Sequence, residues 1–323
     1  MNFKIIFVLI NAIVQGLTEF FPVSSSGHLM ILQHFFKNAF YDNITLDVML
    51  NIGTMFAIVF FYRKVVFRLI IAAFDVPRSI FTKKEPKDIY YKRFLLLLVV
   101  SSAPLIISFF LRKHYTNIIK TGNMLNLGVS FILTSVLLFM SRKRVSGGKS
   151  AMDMTYADAL LIGLLQAVVA PIPGISRSGL TIAVGLLLGL SLKYCVMYSF
   201  LMGISASVGA GILGFADVFL QFNSSDWWIF LLGIIVSAII GYLCIKILER
   251  IILKNKFYMF SYYTFTLALL TIGIGIYDKV TCVILYWFDW RCFCESIGIN
   301  LGSIADSYVF GCYRYSNNCV FCL

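Results

Sequence analysis

The sequence predicts an all-α, polytopic integral membrane protein built from inverted repeats, with two re-entrant pairs of broken helices. Three observations predict it. Of the 323 residues, 60% are hydrophobic and 13% charged, and a mean hydropathy of +0.88 exceeds what a water-soluble globule carries. Uncharged runs long enough to cross a hydrocarbon layer of roughly 30 Å recur along the chain. Two further apolar stretches are interrupted near their middles by Pro, Gly and Ser. The formal charge of +12, from 27 basic and 15 acidic residues, would suit nucleic acid in a soluble protein. On segments this apolar no basic face forms, so nucleic acid is excluded as a partner and the charge belongs to the loops that set membrane orientation.

The first interrupted stretch, residues 5–32, reads as two half-length helices joined by a non-helical link at Pro22 and the serines after it. Lys4 ahead of an apolar run imitates a signal peptide, but no small-residue cleavage site precedes Gln15, Thr18 and Glu19, so the segment is expected in the mature protein. A short span at residues 48–62 follows. Full-length spans are predicted at residues 94–111, 121–141, 194–216, 227–245 and 257–277. The second interrupted stretch, residues 159–192, lies between the second and third of these. Breaks of this kind persist at membrane depth only when protein surrounds them.

Basic residues give the orientation. Residues 63–93 carry nine Lys and Arg against three acids, which marks the segment as cytoplasmic. Arg142, Lys143, Arg144, Lys149, Lys193, Lys246, Arg250, Lys254 and Lys256 then fall inside as well. Arg112, Lys113 and Lys120, Asp226, the loop at residues 36–47 and the tail after Asp278 fall outside. The first broken stretch therefore enters from the outer face and the second from the inner. They also match in sequence. Val23-Ser24-Ser25-Ser26-Gly27 aligns with Ile175-Ser176-Arg177-Ser178-Gly179, and Gly16-Leu17-Thr18-Glu19 aligns with Gly163-Leu164-Leu165-Gln166, with a five-residue insertion between the two alignments. Residues 1–278 thus form one membrane-embedded domain with halves at roughly 1–141 and 151–278, their broken helices meeting near the midplane.

Within the apolar segments Glu19 is the one deep acid, Arg177 the one deep base and His28 the one deep histidine. An ionised group there costs at least roughly 2.5–3.5 kcal/mol unless it is paired or faces water. A purely structural Glu19–Arg177 ion pair is the bland explanation. The functional one makes Glu19 a ligand for a divalent cation or a proton acceptor, with Gln15 one helical turn away supplying a second oxygen. Arg177 lies among Gly174, Ser176, Ser178 and Gly179, where a half-helix begins. A guanidinium beside helix-terminal N–H groups favours a multi-oxygen anion, above all phosphate. Ser24, Ser25, Ser26 and Gly27 repeat the pattern, and each serine alone is equally a helix cap. Cationic clamp, amides, hydroxyl, imidazole and carboxylate together suit phosphoryl transfer. His34 and His114 read as loop or interfacial residues. Trp227, Trp228, Tyr262 and Tyr263 sit at segment ends as an interfacial belt; Phe20, Phe21 and Phe35 either pack or line a lipid-facing entrance.

The runs QGLTEFFPVSSSGH at residues 15–28 and PGISRSGLT at residues 173–181 resemble the two signature regions of the bacterial undecaprenyl-diphosphate phosphatases, the bacitracin-resistance family. The resemblance extends over residues 1–277. It implies an integral membrane enzyme that converts a polyprenyl diphosphate carrier lipid to its monophosphate for peptidoglycan synthesis. It implies a catalytic set of Glu19, Ser25, His28 and Arg177. Substrate-binding positions follow at Ser24, Ser26, Gly27, Gly174, Ser176, Ser178 and Thr181. It also implies a divalent cation, Mg2+ or Ca2+, on Glu19 and Gln15, where Gln15 occupies a position that is acidic in other members. In this reading Ser25 is the nucleophile, His28 handles its proton, Arg177 clamps the phosphates, and Glu19 holds the cation or orients His28. A histidine nucleophile is the alternative. The implied setting is the bacterial plasma membrane among lipids, with the site opening outward and a homodimer allowed. A polyprenyl-phosphate flippase is the competing function, because broken helices at mid-membrane are also transporter architecture. The Cys-rich extension at residues 279–323, with Cys292, Cys294, Cys312, Cys319 and Cys322, departs from the pattern; its spacing fits no standard zinc site, and disulfides or a poorly ordered appendage are expected.

Overall fold

A computed structural model of the protein describes residues 2–36, 43–82, 88–108, 124–142, 148–169, 171–221, 227–254 and 256–287. Among these the regular structure is helical, save for one isolated bridge between Lys149 and Leu190. The helices are α1 (Asn2–Phe20), α2 (Ser25–Phe35), α3 (Asn43–Phe61), α4 (Arg63–Thr82), α5 (Ile89–Ser102), α6 (Met124–Ser141), α7 (Tyr156–Val169), α8 (Arg177–Leu187), α9 (Leu192–Gln221), α10 (Trp227–Leu253) and α11 (Met259–Trp287). Six apolar helical stretches of membrane-crossing length occur among the described residues: Phe3–Phe20, Ile89–Ser108, Met124–Ser141, Leu192–Gly209, Trp227–Leu253 and Met259–Thr281. The chain is an all-α, multi-pass membrane protein.

Several boundaries differ from the expectation. At 19 residues α1 is not half-length. The polar link after it is confined to Phe21–Ser24, so the apolar helix runs on to Phe20. The basic segment after residue 62 is largely α4, not loop. Its exposed Phe67, Ile70 and Phe74 beside Arg63, Lys64 and Arg68 give it the two-faced character of an interfacial helix. Helix α11 continues past residue 278 to Trp287; Cys292, Cys294, Cys312, Cys319, Cys322, His114 and the 112–120 cations lie outside the described residues.

Both breaks have local causes. Pro22 withholds an N–H, and Ser24 sits at φ 68, a left-handed conformation that stops the helix. The Ser24 hydroxyl then accepts the Gly27 N–H at 3.3 Å and caps α2. In the second stretch Pro171, Pro173 and Gly174 at φ 88 end the chain's run, and Ser176 caps α8 by accepting the Gly179 N–H at 3.0 Å.

In each broken pair the two outer ends are neighbours. Near the start of α1, Phe7 meets Phe36 at the end of α2 with ring centroids 6.1 Å apart. Likewise the Lys149 carbonyl oxygen, ahead of α7, accepts the Ser191 N–H at 3.0 Å just beyond α8. Helix α3 packs on α10. Helices α3 and α9 pack on each other, as do α6 and α11, while α1 packs on α10 as α7 packs on α5. The aligned glycines make those last contacts. A Cβ on Gly16 would lie 3.0 Å from the Ser237 carbonyl oxygen of α10 and 2.9 Å from Ile240 Cβ. A Cβ on Gly163 would run into the Ser101 carbonyl oxygen of α5. Only hydrogen lets the helices approach this closely.

Gly163→Ala is therefore expected to lower the thermal unfolding midpoint in detergent, by the equivalent of about 1–3 kcal/mol of overpacking. Gly273→Ala, whose new methyl meets nothing within 4 Å, is expected to leave it unchanged or raise it. The two midpoints, measured side by side, check the repeat packing.

Candidate active site

The two breaks touch. A Cβ on Gly27 would lie 3.1 Å from Gly174 Cα, and one on Gly179 would lie 3.2 Å from Pro22 Cβ. Helix α1 ends on Glu19 and Phe20, and α8 begins on Arg177, so the link geometry delivers the acid and the base to one place. Arg177 Nη2 donates to Glu19 Oε1 at 2.7 Å, with the side chains 25% and 12% exposed. The pair is partly buried, not sealed. A single ion-pair contact, through Nη2, leaves most of the guanidinium's five donors for an anion.

The second carboxylate oxygen organises the rest. Ser25 Oγ donates to Glu19 Oε2 at 2.6 Å, and Gln15 Nε2 donates to the same oxygen at 3.1 Å and to Asn51 Oδ1 at 2.7 Å. The Ser25 proton therefore points at Glu19 and not at His28. His28 is engaged on both ring nitrogens: Nδ1 lies 2.7 Å from the Ser24 carbonyl oxygen and Nε2 lies 2.7 Å from the Tyr263 hydroxyl. A carbonyl only accepts, so Nδ1 carries the proton and Nε2 accepts from Tyr263. The two rings lie parallel, 2° apart in plane.

The first N–H groups of α2 (Ser25, Ser26) and of α8 (Arg177, Ser178) have no acceptor within their own helices. Two positive helix ends thus converge where Arg177 stands, the arrangement that favours a phosphate. The other substrate-binding positions divide. Ser26 is exposed, with its hydroxyl 3.3 Å from that of Ser24. Ser24, Ser176, Ser178 and Thr181 are buried. Ser24 and Ser176 serve as caps, Ser178 lies 3.4 Å from the Ser176 hydroxyl, and Thr181 bonds Ser199 at 2.7 Å. Gly27 and Gly174 provide the close backbone approach. His34 is elsewhere, 3.3 Å from Asp278.

Three residues were missed from the sequence. Asn51 and Thr134 each place a polar group inside an apolar run, which is a usable signal. Thr134 accepts the Ser176 N–H at 3.1 Å and fixes the second link. Tyr263 resembles any other aromatic at a segment end, and nothing in the sequence distinguishes it.

For a divalent cation the nearby hard oxygens are the Glu19 carboxylate and Asn51 Oδ1; Gln15 turns its Nε2 toward both, so it would offer its own oxygen only after its amide flips. No group of three or more His, Cys, Asp and Glu occurs among the described residues. A single carboxylate with amide oxygens suits an ion that takes its remaining ligands from water and substrate phosphates, as Mg2+ commonly does, and not a closed protein cage.

The sequence matches the family described as bacitracin resistance protein BacA over residues 8–270. The chain belongs to this family. Among its relatives, an undecaprenyl-diphosphatase from Desulfosudis oleivorans is 36% identical over 83% of this chain and 97% of its own length. One from Methanosphaera stadtmanae is 35% identical over 84% of this chain and 98% of its own length. Undecaprenyl-diphosphatase 4 of Bacillus thuringiensis strain Al Hakam is 35% identical over 85% and 98%. The family match contains both breaks and every residue of the site, from Gln15 to Tyr263.

If the Glu19–Arg177 contact couples the halves, Glu19→Ala and Arg177→Ala are expected to be non-additive. A double-mutant cycle on thermal stability in detergent should return a coupling of about 0.5–3 kcal/mol. Additive losses would show that the contact carries no energy.

Proposed function

We propose that this protein hydrolyses undecaprenyl diphosphate to the monophosphate and inorganic phosphate, recycling the carrier lipid for cell-wall synthesis and conferring the bacitracin resistance after which its family is described. The observation that carries the reading is that Arg177 and Ser25 share one carboxylate, Glu19, where two helix N-termini meet. An anion clamp, a hydroxyl and its proton acceptor thereby stand within one phosphate's reach. Convergence of this kind suits phosphoryl transfer, which depends mainly on positioning and charge neutralisation.

Arg177 and the helix-terminal N–H groups hold the terminal phosphate. Ser25 Oγ attacks its phosphorus while Glu19 takes the hydroxyl proton. The bond to the bridging oxygen breaks, and its electron pair leaves with the lipid monophosphate. Water then attacks the phosphoserine; one of its protons restores the Ser25 hydroxyl, inorganic phosphate departs, and Glu19 gives up to solvent the proton it took. His28, neutral and fixed by Ser24, keeps the Tyr263 hydroxyl turned toward the site. A second reading makes Nε2 of His28 the nucleophile: the Ser24 carbonyl bond leaves the lone pair on that nitrogen, but the Tyr263 hydroxyl at 2.7 Å occupies it and has to turn away first. A flippase would use Arg177 but has no need for the Ser25–Glu19 pairing.

A divalent cation, Mg2+ or Ca2+, is part of the proposal. Glu19, Gln15 and Asn51 would hold it, and when bound it neutralises charge on the phosphates. The proposed setting is the bacterial plasma membrane, with the site opening outward, as the Lys and Arg placement supports. Each chain carries its own catalytic set, so a homodimer is not required for turnover.

Purified protein in detergent is expected to release phosphate from undecaprenyl diphosphate only with added divalent cation, and a chelator should stop it. Arg177→Ala, Glu19→Gln and Ser25→Ala are each expected to lower kcat/KM by about 10²–10⁴-fold with the unfolding transition retained. Full activity in Arg177→Ala overturns the assignment. Full activity in Ser25→Ala removes serine as the nucleophile and leaves His28.

A further inference from the structure

We propose that the polyprenyl tail of the substrate lies in a groove bounded by α1, α10 and α11; this rests on the lipid diphosphatase reading above. The groove is an open cavity of about 740 Å³ walled by Leu17, Phe21, Val23, Ile251, Phe260 and Tyr263. Its size falls in the range of small-molecule sites, about 300–1,000 Å³, so it takes the head-proximal part of a long chain and leaves the rest to lipid.

Continuity with the catalytic residues identifies the occupant. Tyr263 lines the groove and also bonds His28 at 2.7 Å. Leu17 and Thr18 directly precede Glu19, and Phe21 and Val23 belong to the link that turns into Ser24 and Ser25. A phosphate bound at Arg177 thus lies at the head of this path. Phe21 and Phe260 form a continuous aromatic wall, their ring centroids 5.3 Å apart. An apolar chain gains from every contact along such a surface.

The far end is marked by charge. Arg250, Lys254 and Lys256 line the groove there. On α10 the lining residues extend from Ile247 to Lys254, about 10 Å along the helix axis. The groove therefore runs from the catalytic depth to the basic end of the bundle, where Lys and Arg reach the membrane boundary. An outward-opening site places the head above and the tail below it, in the opposite leaflet.

The test compares kcat/KM for farnesyl diphosphate with that for dimethylallyl diphosphate, which is too short to enter the groove. In Leu17→Trp and Ile251→Trp, the ratio is expected to fall at least about tenfold. An unchanged ratio in both variants overturns the proposal. A farnesyl diphosphate analogue bearing a terminal benzophenone supplies a second readout that needs no turnover. On irradiation it should label residues 247–260, with protection by undecaprenyl monophosphate. Labelling confined to other segments, or protection by phosphatidylglycerol alone, also overturns it. If the wild-type protein releases no phosphate from any of the diphosphates, the functional reading fails separately, whatever the label shows.

Discussion

One carboxylate and one guanidinium at the centre of an oily bundle constrain everything around them. Neither Glu19 nor Arg177 is tolerable there alone. Their contact, 2.7 Å long, needs a helix end from each half of the chain at the same point. That requirement explains why the helices break where they do, why Ser24 and Ser176 cap the returning segments, and why glycines stand at 27, 174 and 179. It also explains Gly16 and Gly163, which let α1 and α7 seat deeply enough against α10 and α5 for the breaks to meet.

Partial exposure turns this constraint into chemistry. A sealed pair would be inert ballast. Here the acid's second oxygen holds Ser25 and Gln15, and the Arg177 side chain keeps a quarter of its surface exposed. In the proposed mechanism a phosphate would replace Glu19 Oε1 at Arg177, leaving the carboxylate to the serine proton that its other oxygen already accepts. The two helix N-termini add positive potential without adding buried charge, which is the cheaper way to attract an anion in a low-dielectric interior.

The architecture and the identity of the central residues were legible in the sequence because they follow from strong physical signals. Hydropathy gives spans, proline and glycine give breaks, and a lone deep charge demands a partner. What the sequence did not reveal depends on three-dimensional approach. The Ser25 proton goes to Glu19 because α1 and α2 fold back across Phe21–Ser24, a geometry that no spacing rule encodes. Tyr263 reaches His28 from 235 residues away while looking like a belt aromatic. Ser176, Ser178 and Thr181 read as phosphate donors; in the structure Ser176 caps α8, Ser178 lies beside the Ser176 hydroxyl and Thr181 bonds Ser199. Helix α4 was hidden by its own charge, since Arg63, Lys64 and Arg68 mark one edge of an amphipathic helix as readily as a loop.

The account stands or falls on contact between the two breaks. The most direct measurement is disulfide formation under mild oxidation between Pro22→Cys and Gly179→Cys, in a chain with its native cysteines replaced. The near approach of these positions, 3.2 Å between the Pro22 Cβ and a Cβ built on Gly179, predicts rapid intrachain crosslinking that a polyprenyl diphosphate does not abolish. Failure to crosslink in a folded, membrane-inserted chain would mean that the halves do not meet, and Glu19 and Arg177 would then belong to no common site.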